Sequence, residues 1–133
     1  MVILDASVVT KWFKPDEKSE AADNLLKEHL AGRDSIFVPT LLLYEFTNAL
    51  WYSKRLTGKE IERAIELLDT FKVSYINPDR GLLSDALIIS EAIKLSIYDA
   101  SYVALSRRFS CRLFTADKKL YERAKNLARI VLI

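Results

Sequence analysis

Four acids stand apart from one another in this sequence. Asp5 follows an apolar run in MVILDAS, Glu45 lies inside TLLLYEFTNALW, and Asp99 and Asp117 fall towards either end of SIYDASYVALSRRFSCRLFTAD. On a helix, Glu45 has Leu41, Leu42, Asn48 and Ala49 as its neighbours three and four positions away, with no Lys or Arg on that face before Arg55. Taken singly, the aspartates read as helix N-caps, a role worth about 1 kcal/mol, and Glu45 reads as a helix rim facing water. Taken together they pose an electrostatic problem. At a separation of ~4 Å and an effective dielectric of 20, two like charges repel by about 4 kcal/mol, so four acids converge only around a cation. Oxygen-only ligands suit Mg²⁺ or Mn²⁺, hard ions that also bind phosphate oxygens. The chemistry such an ion supports beside a basic segment is phosphodiester hydrolysis.

The elements that must carry these acids can be read from the pattern. Five short apolar runs, at 2–5, 36–39, 73–77, 112–116 and 130–133, show no clean alternation, as strands buried on both faces of a parallel sheet do. Helical patterns fill the gaps: 17–31, ended by Gly32; 40–55; 57–71, opening on a Thr57/Glu60 capping box; 79–95; 99–109; and 117–127. Strands alternating with helices predict an α/β domain with a parallel sheet of about five strands and right-handed crossovers. With no repeat, linker or low-complexity tract, residues 1–133 read as one domain. Asp5 then ends the first strand, Asp117 follows the fourth, and Asp99 precedes a helix. Open α/β sheets bind ligands outside the carboxyl ends of their strands.

Composition narrows the classes. Hydrophobic residues at 50% and charged ones at 29% describe a folding chain. A single cysteine, Cys111, excludes an internal disulfide, and with a single histidine, His29, it excludes a Cys- or His-rich zinc site. Cys111 reads as a small buried residue and His29 as a solvated residue near a helix end. No apolar run approaches the ~18–20 residues that span a bilayer, and the opening residues lack the pattern of a signal peptide, so a soluble cytoplasmic protein is expected. No Gly-rich loop is present to cradle a nucleoside triphosphate. Net charge is only +2, yet residues 107–133 hold eight Lys/Arg against two Asp/Glu. That basic quarter is either a set of solvated helix faces or a surface for a phosphate backbone.

Four segments, VILDASVVTKWF, PTLLLYEFTNAL, SIYDASYVALSRRF and RLFTADKKL, resemble the successive motifs of the PIN domain, specifically of VapC-type toxin ribonucleases from toxin–antitoxin pairs. Each motif alone is weak. Their order is specific: an early D-A-S, a helical glutamate, Y-D-A-x-Y, then T-x-D, over nearly the whole chain. The resemblance implies a three-layer α/β/α fold, Mg²⁺- or Mn²⁺-dependent endoribonuclease activity, a homodimer and inhibition by a VapB-type antitoxin. By position, Asp5, Glu45, Asp99 and Asp117 match the family's acidic quartet, the group that binds metal and carries catalysis. Ser7 and Thr115 match its small hydroxyl positions, with orientation of water or ordinary capping both open as roles. Asn48 is either a polar neighbour of Glu45 or a surface amide. Lys11, Lys14, Arg107, Arg108, Lys118 and Lys119 are candidate RNA contacts, or plain solvated surface.

Trp12, Phe13, Trp51 and Tyr52 are either base-stacking residues or, as their helical spacing favours, packing residues of the core or of a dimer interface. Apolar residues in LLLYEFTNALWY and in 61–71 exceed what a small domain buries, which predicts a two-fold homodimer and an apolar groove for an amphipathic antitoxin segment. Two other readings compete. A phospho-receiver-like signalling module also uses carboxylates, Mg²⁺, Thr and Lys at strand ends. It needs paired acids after the first strand, where this chain has the single acid of LDAS, and a phospho-acceptor ending a central strand, where the third run here ends in YINPD. A catalytically inactive PIN-like binding protein is the other, and the intact quartet argues against it.

Overall fold

The computed structural model describes residues 1–133. Strands β1 (Val2–Leu4), β2 (Ile36–Pro39), β3 (Ser74–Ile76), β4 (Arg112–Thr115) and β5 (Ile130–Leu132) pair in parallel in the order β3-β2-β1-β4-β5. All five fall on the apolar runs of the sequence. Val2, Ile3 and Leu4 are buried, as a central strand covered on both faces requires. The chain winds from β1 outward through β2 to β3, then returns past β1 to β4 and β5. Right-handed crossovers in these two opposite directions place helices on both faces of the sheet, the α/β/α arrangement expected from the sequence. The change of direction falls between β1 and β4, and the crevice at such a switch point is where open sheets bind ligands.

The helices are α1 (Ala6–Val9), α2 (Glu20–Leu30), α3 (Leu41–Tyr52), α4 (Gly58–Thr70), α5 (Arg80–Ile93), α6 (Ile97–Arg108) and α7 (Lys118–Ala124). None is long and apolar enough to cross a membrane. The capping box at Thr57 and Glu60 forms in both directions. Helix α6 is the buried one. Every residue from Ala100 to Ser106 is inside, against β1, β2 and β4.

Several boundaries differ from the sequence reading, each for a local reason. The helix expected from 17 starts at Glu20 because the Ser19 hydroxyl accepts from the Ala22 N–H, while Pro15–Glu17 forms a separate 3-10 turn. The short α1 and the 3-10 turn Thr10–Trp12 that follows it were not expected, since β-branched Val8 and Val9 continue the apolar run of β1. Helix α3 stops at Tyr52, where the Ser53 hydroxyl bonds the Leu50 carbonyl and Lys54 turns left-handed at φ 53°. Helix α7 stops at Ala124, whose carbonyl takes a tighter bond from the Leu127 N–H at 2.8 Å. Asp99 does not precede α6. Ser96 is the cap, accepting from the Asp99 N–H at 3.0 Å, so Asp99 lies inside the first turn.

His29 is not the solvated residue its position suggested. It is half-buried, its Nδ1 accepts from the Ile36 N–H at 3.2 Å, and its Nε2 lies 2.8 Å from the Phe71 carbonyl. The first bond fixes a tautomer with the proton on Nε2, which donates to Phe71 and ties α2 to β2 and to the end of α4.

Candidate active site

Asp5 leaves β1 with its N–H still bonded to the Phe114 carbonyl of β4, then turns to cap α1. The residue is only 5% exposed. Oδ1 accepts from the Ser7 hydroxyl at 2.5 Å and the Val8 N–H at 3.2 Å, and Oδ2 accepts from the Thr115 hydroxyl at 2.5 Å. The two hydroxyls are relays. Ser7 Oγ also accepts from the Ala116 N–H at 2.8 Å, and Thr115 Oγ1 accepts from the Asp117 N–H at 2.9 Å. Ser7 and Thr115 therefore sew the carboxyl ends of β1 and β4 together across the switch point, with Asp5 at the centre. Burial pushes the Asp5 carboxyl above its ordinary 3.8, against the pull of those hydrogen bonds.

Thr115 is wholly buried. Thr115→Val keeps its shape but removes one donor to a buried charge and the acceptor for the Asp117 N–H. We expect a loss of about 2 kcal/mol in urea unfolding at neutral pH. A variant as stable as wild type would show that the bridge does not hold the two strand ends.

Glu45 projects from α3 to the same crevice. Its Oε2 accepts from the Tyr102 hydroxyl of α6 at 2.6 Å. Burial, then the facing charges of Asp99 and Asp5, raise its carboxyl above the ordinary 4.5, while the Tyr102 hydrogen bond pulls it down. Tyr102 is buried and its hydroxyl is pushed strongly upward, first by burial and then by Glu45, so it stays a proton donor. The structure thus brings Glu45 within range of the charges of both Asp99 and Asp5. Asp117 stands at the exposed rim. Its N–H is linked to Asp5 through Thr115, and its Oδ1 caps α7 on the Lys119 and Leu120 N–H groups. No three acids close into a chelate as they stand. None of the four takes part in the ion pairs of the molecule. Four uncompensated carboxylates, supplying oxygens alone, fit a hard divalent cation.

The other candidates divide. Lys11 and Lys14 line a groove of about 450 Å³ with Ser7, Thr10, Glu45 and Ala116, directly beside the acids. Lys118 and Lys119 are exposed on the first turn of α7 after Asp117. Arg107 and Arg108 are not brought to the acids. They lie at the opposite end of α6 from Asp99, about 12 Å along the axis, and Arg108 is tied to Asp79 at 2.9 Å and Asp85 at 3.4 Å of α5 and its cap. Asn48 is exposed and faces a second groove, of about 750 Å³, between α3 and α4. That groove is walled by Leu43, Tyr44, Trp51, Ile61 and Ile65, with Tyr44 81% and Trp51 64% exposed. Trp12 and Phe13 pack against the core, edge-on to Phe71 and Phe46 respectively. Sequence reasoning left Tyr102 outside the site. Its only trace there was the second tyrosine of Y-D-A-x-Y.

A parallel sheet with carboxylates gathered at its switch point, followed in order by a helical Glu, an Asp at a helix start and a T-x-D strand end, defines a class. The chain matches the PIN domain over residues 2–126 and belongs to the PIN domain family. It is 29% identical over 126 residues to Ribonuclease VapC3 of Pyrobaculum aerophilum, covering 92% of this chain and 93% of that protein. Solved structures sharing the fold include Mycobacterium tuberculosis VapC20, a toxin that cleaves the sarcin-ricin loop, with a TM-score of 0.68, 16% identity, and 92% of this chain and 94% of that chain covered. Another is VapBC2 of Rickettsia felis bound to promoter DNA, with a TM-score of 0.74, 11% identity, and 100% and 98% covered.

Proposed function

We propose that this chain is a metal-dependent endoribonuclease, the toxin of a VapBC-type pair, that hydrolyses RNA with Mg²⁺ as its ion and Mn²⁺ as a substitute. One observation carries the reading: at the carboxyl ends of a parallel sheet Glu45 lies within range of the charges of both Asp99 and Asp5, with no Lys or Arg paired to any of the three. These three, with Asp117 at the rim, would hold the ion, which when bound supplies Lewis-acid activation of the phosphate and of water. Asp5 is oriented by Ser7 and Thr115, so its position is set before any ligand arrives. Lysines flank the acids on both sides, Lys11 and Lys14 along the groove and Lys118 and Lys119 beyond Asp117, where a phosphate backbone would run. Arg107 and Arg108 would meet only RNA extending well past the cut.

The apolar groove between α3 and α4 is the seat proposed for an amphipathic segment of a VapB-type antitoxin. Leu83, Leu87 and Ile88, exposed on α5, are the face proposed for a second copy. Relatives by name support the enzymatic reading, since VapC3 is called a ribonuclease. The receiver-like alternative has no comparable support, because the third strand ends without an acid facing the crevice.

The test is direct. Purified protein is incubated with single-stranded RNA in Mg²⁺, in Mn²⁺ and in chelator, and new 5′ ends are mapped. Cleavage is expected with either ion and absent in chelator, and Asp99→Asn should lower the rate by about a thousandfold, the several kcal/mol that metal activation supplies. Cleavage at an undiminished rate in chelator, or none under any condition, defeats the proposal.

A further inference from the structure

The phenol of Tyr102 has a single polar partner. Tyr102 is 1% exposed, at the middle of the buried helix α6, and its hydroxyl donates to Glu45 Oε2 at 2.6 Å. Packing alone would be met by Phe at this place. A hydroxyl this deep needs a partner, and the partner is an acid 57 positions away on another helix. Glu45 in turn accepts no other hydrogen bond from the protein. A glutamate side chain has three rotors to fix, and fixing them costs entropy at the moment of ligand binding unless something fixes them beforehand.

We infer that Tyr102 is a positioning residue that fastens Glu45 through Oε2 and so fixes the orientation of its carboxylate before a cation binds. Asp99 and Tyr102 are three residues apart on α6 and share a face. One helix therefore carries the Asp99 carboxylate and, through the phenol, anchors the Glu45 carboxylate that reaches it from α3. The second tyrosine of Y-D-A-x-Y thereby gains a purpose in the same site as the aspartate of that motif. The inference rests on the metal-centre reading above.

The experiment is a double-mutant cycle read by Mn²⁺ affinity, measured by electron paramagnetic resonance on the purified chain without RNA. Tyr102→Phe keeps the ring and its packing and should raise the Mn²⁺ Kd about tenfold. In a Glu45→Ala background the same change should leave the Kd within about twofold of Glu45→Ala alone, because the group through which Tyr102 acts is gone. With RNA present, kcat should fall in Tyr102→Phe while KM for RNA is unmoved. An equal loss in both backgrounds overturns the inference, since Tyr102 then acts on the core at large. A Kd weakened by Glu45→Ala but unchanged by Tyr102→Phe overturns the inference and leaves the metal centre standing. A Kd unchanged by Glu45→Ala overturns both.

Discussion

Asp5→Asn is expected to lower RNA cleavage by about a thousandfold or more while leaving the fold nearly as stable as before. The loss follows from what Asp5 supplies. It is the one acid of the four that is buried, and Ser7, Val8 and Thr115 hold both its oxygens in place. Asparagine keeps the shape but replaces an anionic oxygen with an NH₂ group, which cannot ligate a cation. Losing about 4 kcal/mol of transition-state stabilisation is about a thousandfold in rate. Stability moves little because two effects oppose each other. Burial holds the Asp5 carboxyl above its ordinary range, so an ionised Asp5 weakens the metal-free fold at neutral pH, and the amide removes that cost. Against this, the amide leaves a hydroxyl donor without an acceptor, a cost of about 1 kcal/mol. Cleavage of a labelled RNA in Mg²⁺ and thermal melting in chelator read the two effects separately. Asp5→Asn cleaving within tenfold of wild type would remove Asp5 from the catalytic group.

The contrast between Asp5 and Glu45 shows what the sequence could and could not carry. The five strands were legible because each falls on a short, mostly apolar run without clean alternation, the form a parallel sheet covered by helices favours. Their carboxyl ends placed Asp5 and Asp117 correctly, since an acid directly after such a run has to lie at a strand end. The sequence alone also allows Asp99 just outside its helix, because Asp and Ser compete for the same cap. The S-x-x-D spacing from Ser96 was a signal for the answer the structure gives. The bond from Tyr102 to Glu45 spans 57 positions and the tie of Arg108 to Asp79 spans 29, and no local pattern encodes such pairs. The role of His29 is hidden for the same reason, since its partner at Phe71 is 42 positions away. Side chains whose roles depend on the arrangement of crossovers become readable only once the sheet order is known.

Removing the divalent cation should turn the pH dependence of stability around. Asp5 and Glu45 both have folded-state values raised above their ordinary 3.8 and 4.5, by burial first and, for Glu45, also by the charges of Asp99 and Asp5. A raised value means the folded state prefers the protonated form. Their contribution is therefore fully present below about pH 3.8, is lost as pH climbs through the raised folded values, and is level above them. Asp34 and Asp79 work the other way. Hydrogen bonds and cationic neighbours, the N-terminal ammonium at Asp34 and Arg108 at Asp79, hold their carboxyls below 3.8, so they add stability as pH rises. The quantity to measure is accordingly the difference between wild type and an Asp5→Asn/Glu45→Gln variant, in which the Asp34 and Asp79 contributions cancel. In chelator, that difference should fall with rising pH. In Mg²⁺ it should rise, because the ion binds the ionised form and proton loss is then coupled to ligation. At 100 times its dissociation constant the ion adds about 2.7 kcal/mol to wild type, about 10 °C in Tm for a domain of this size. The double variant should gain far less. Equal Mg²⁺ shifts in the two proteins, or a difference curve with the same slope in chelator and in Mg²⁺, would mean that Asp5 and Glu45 do not hold the ion.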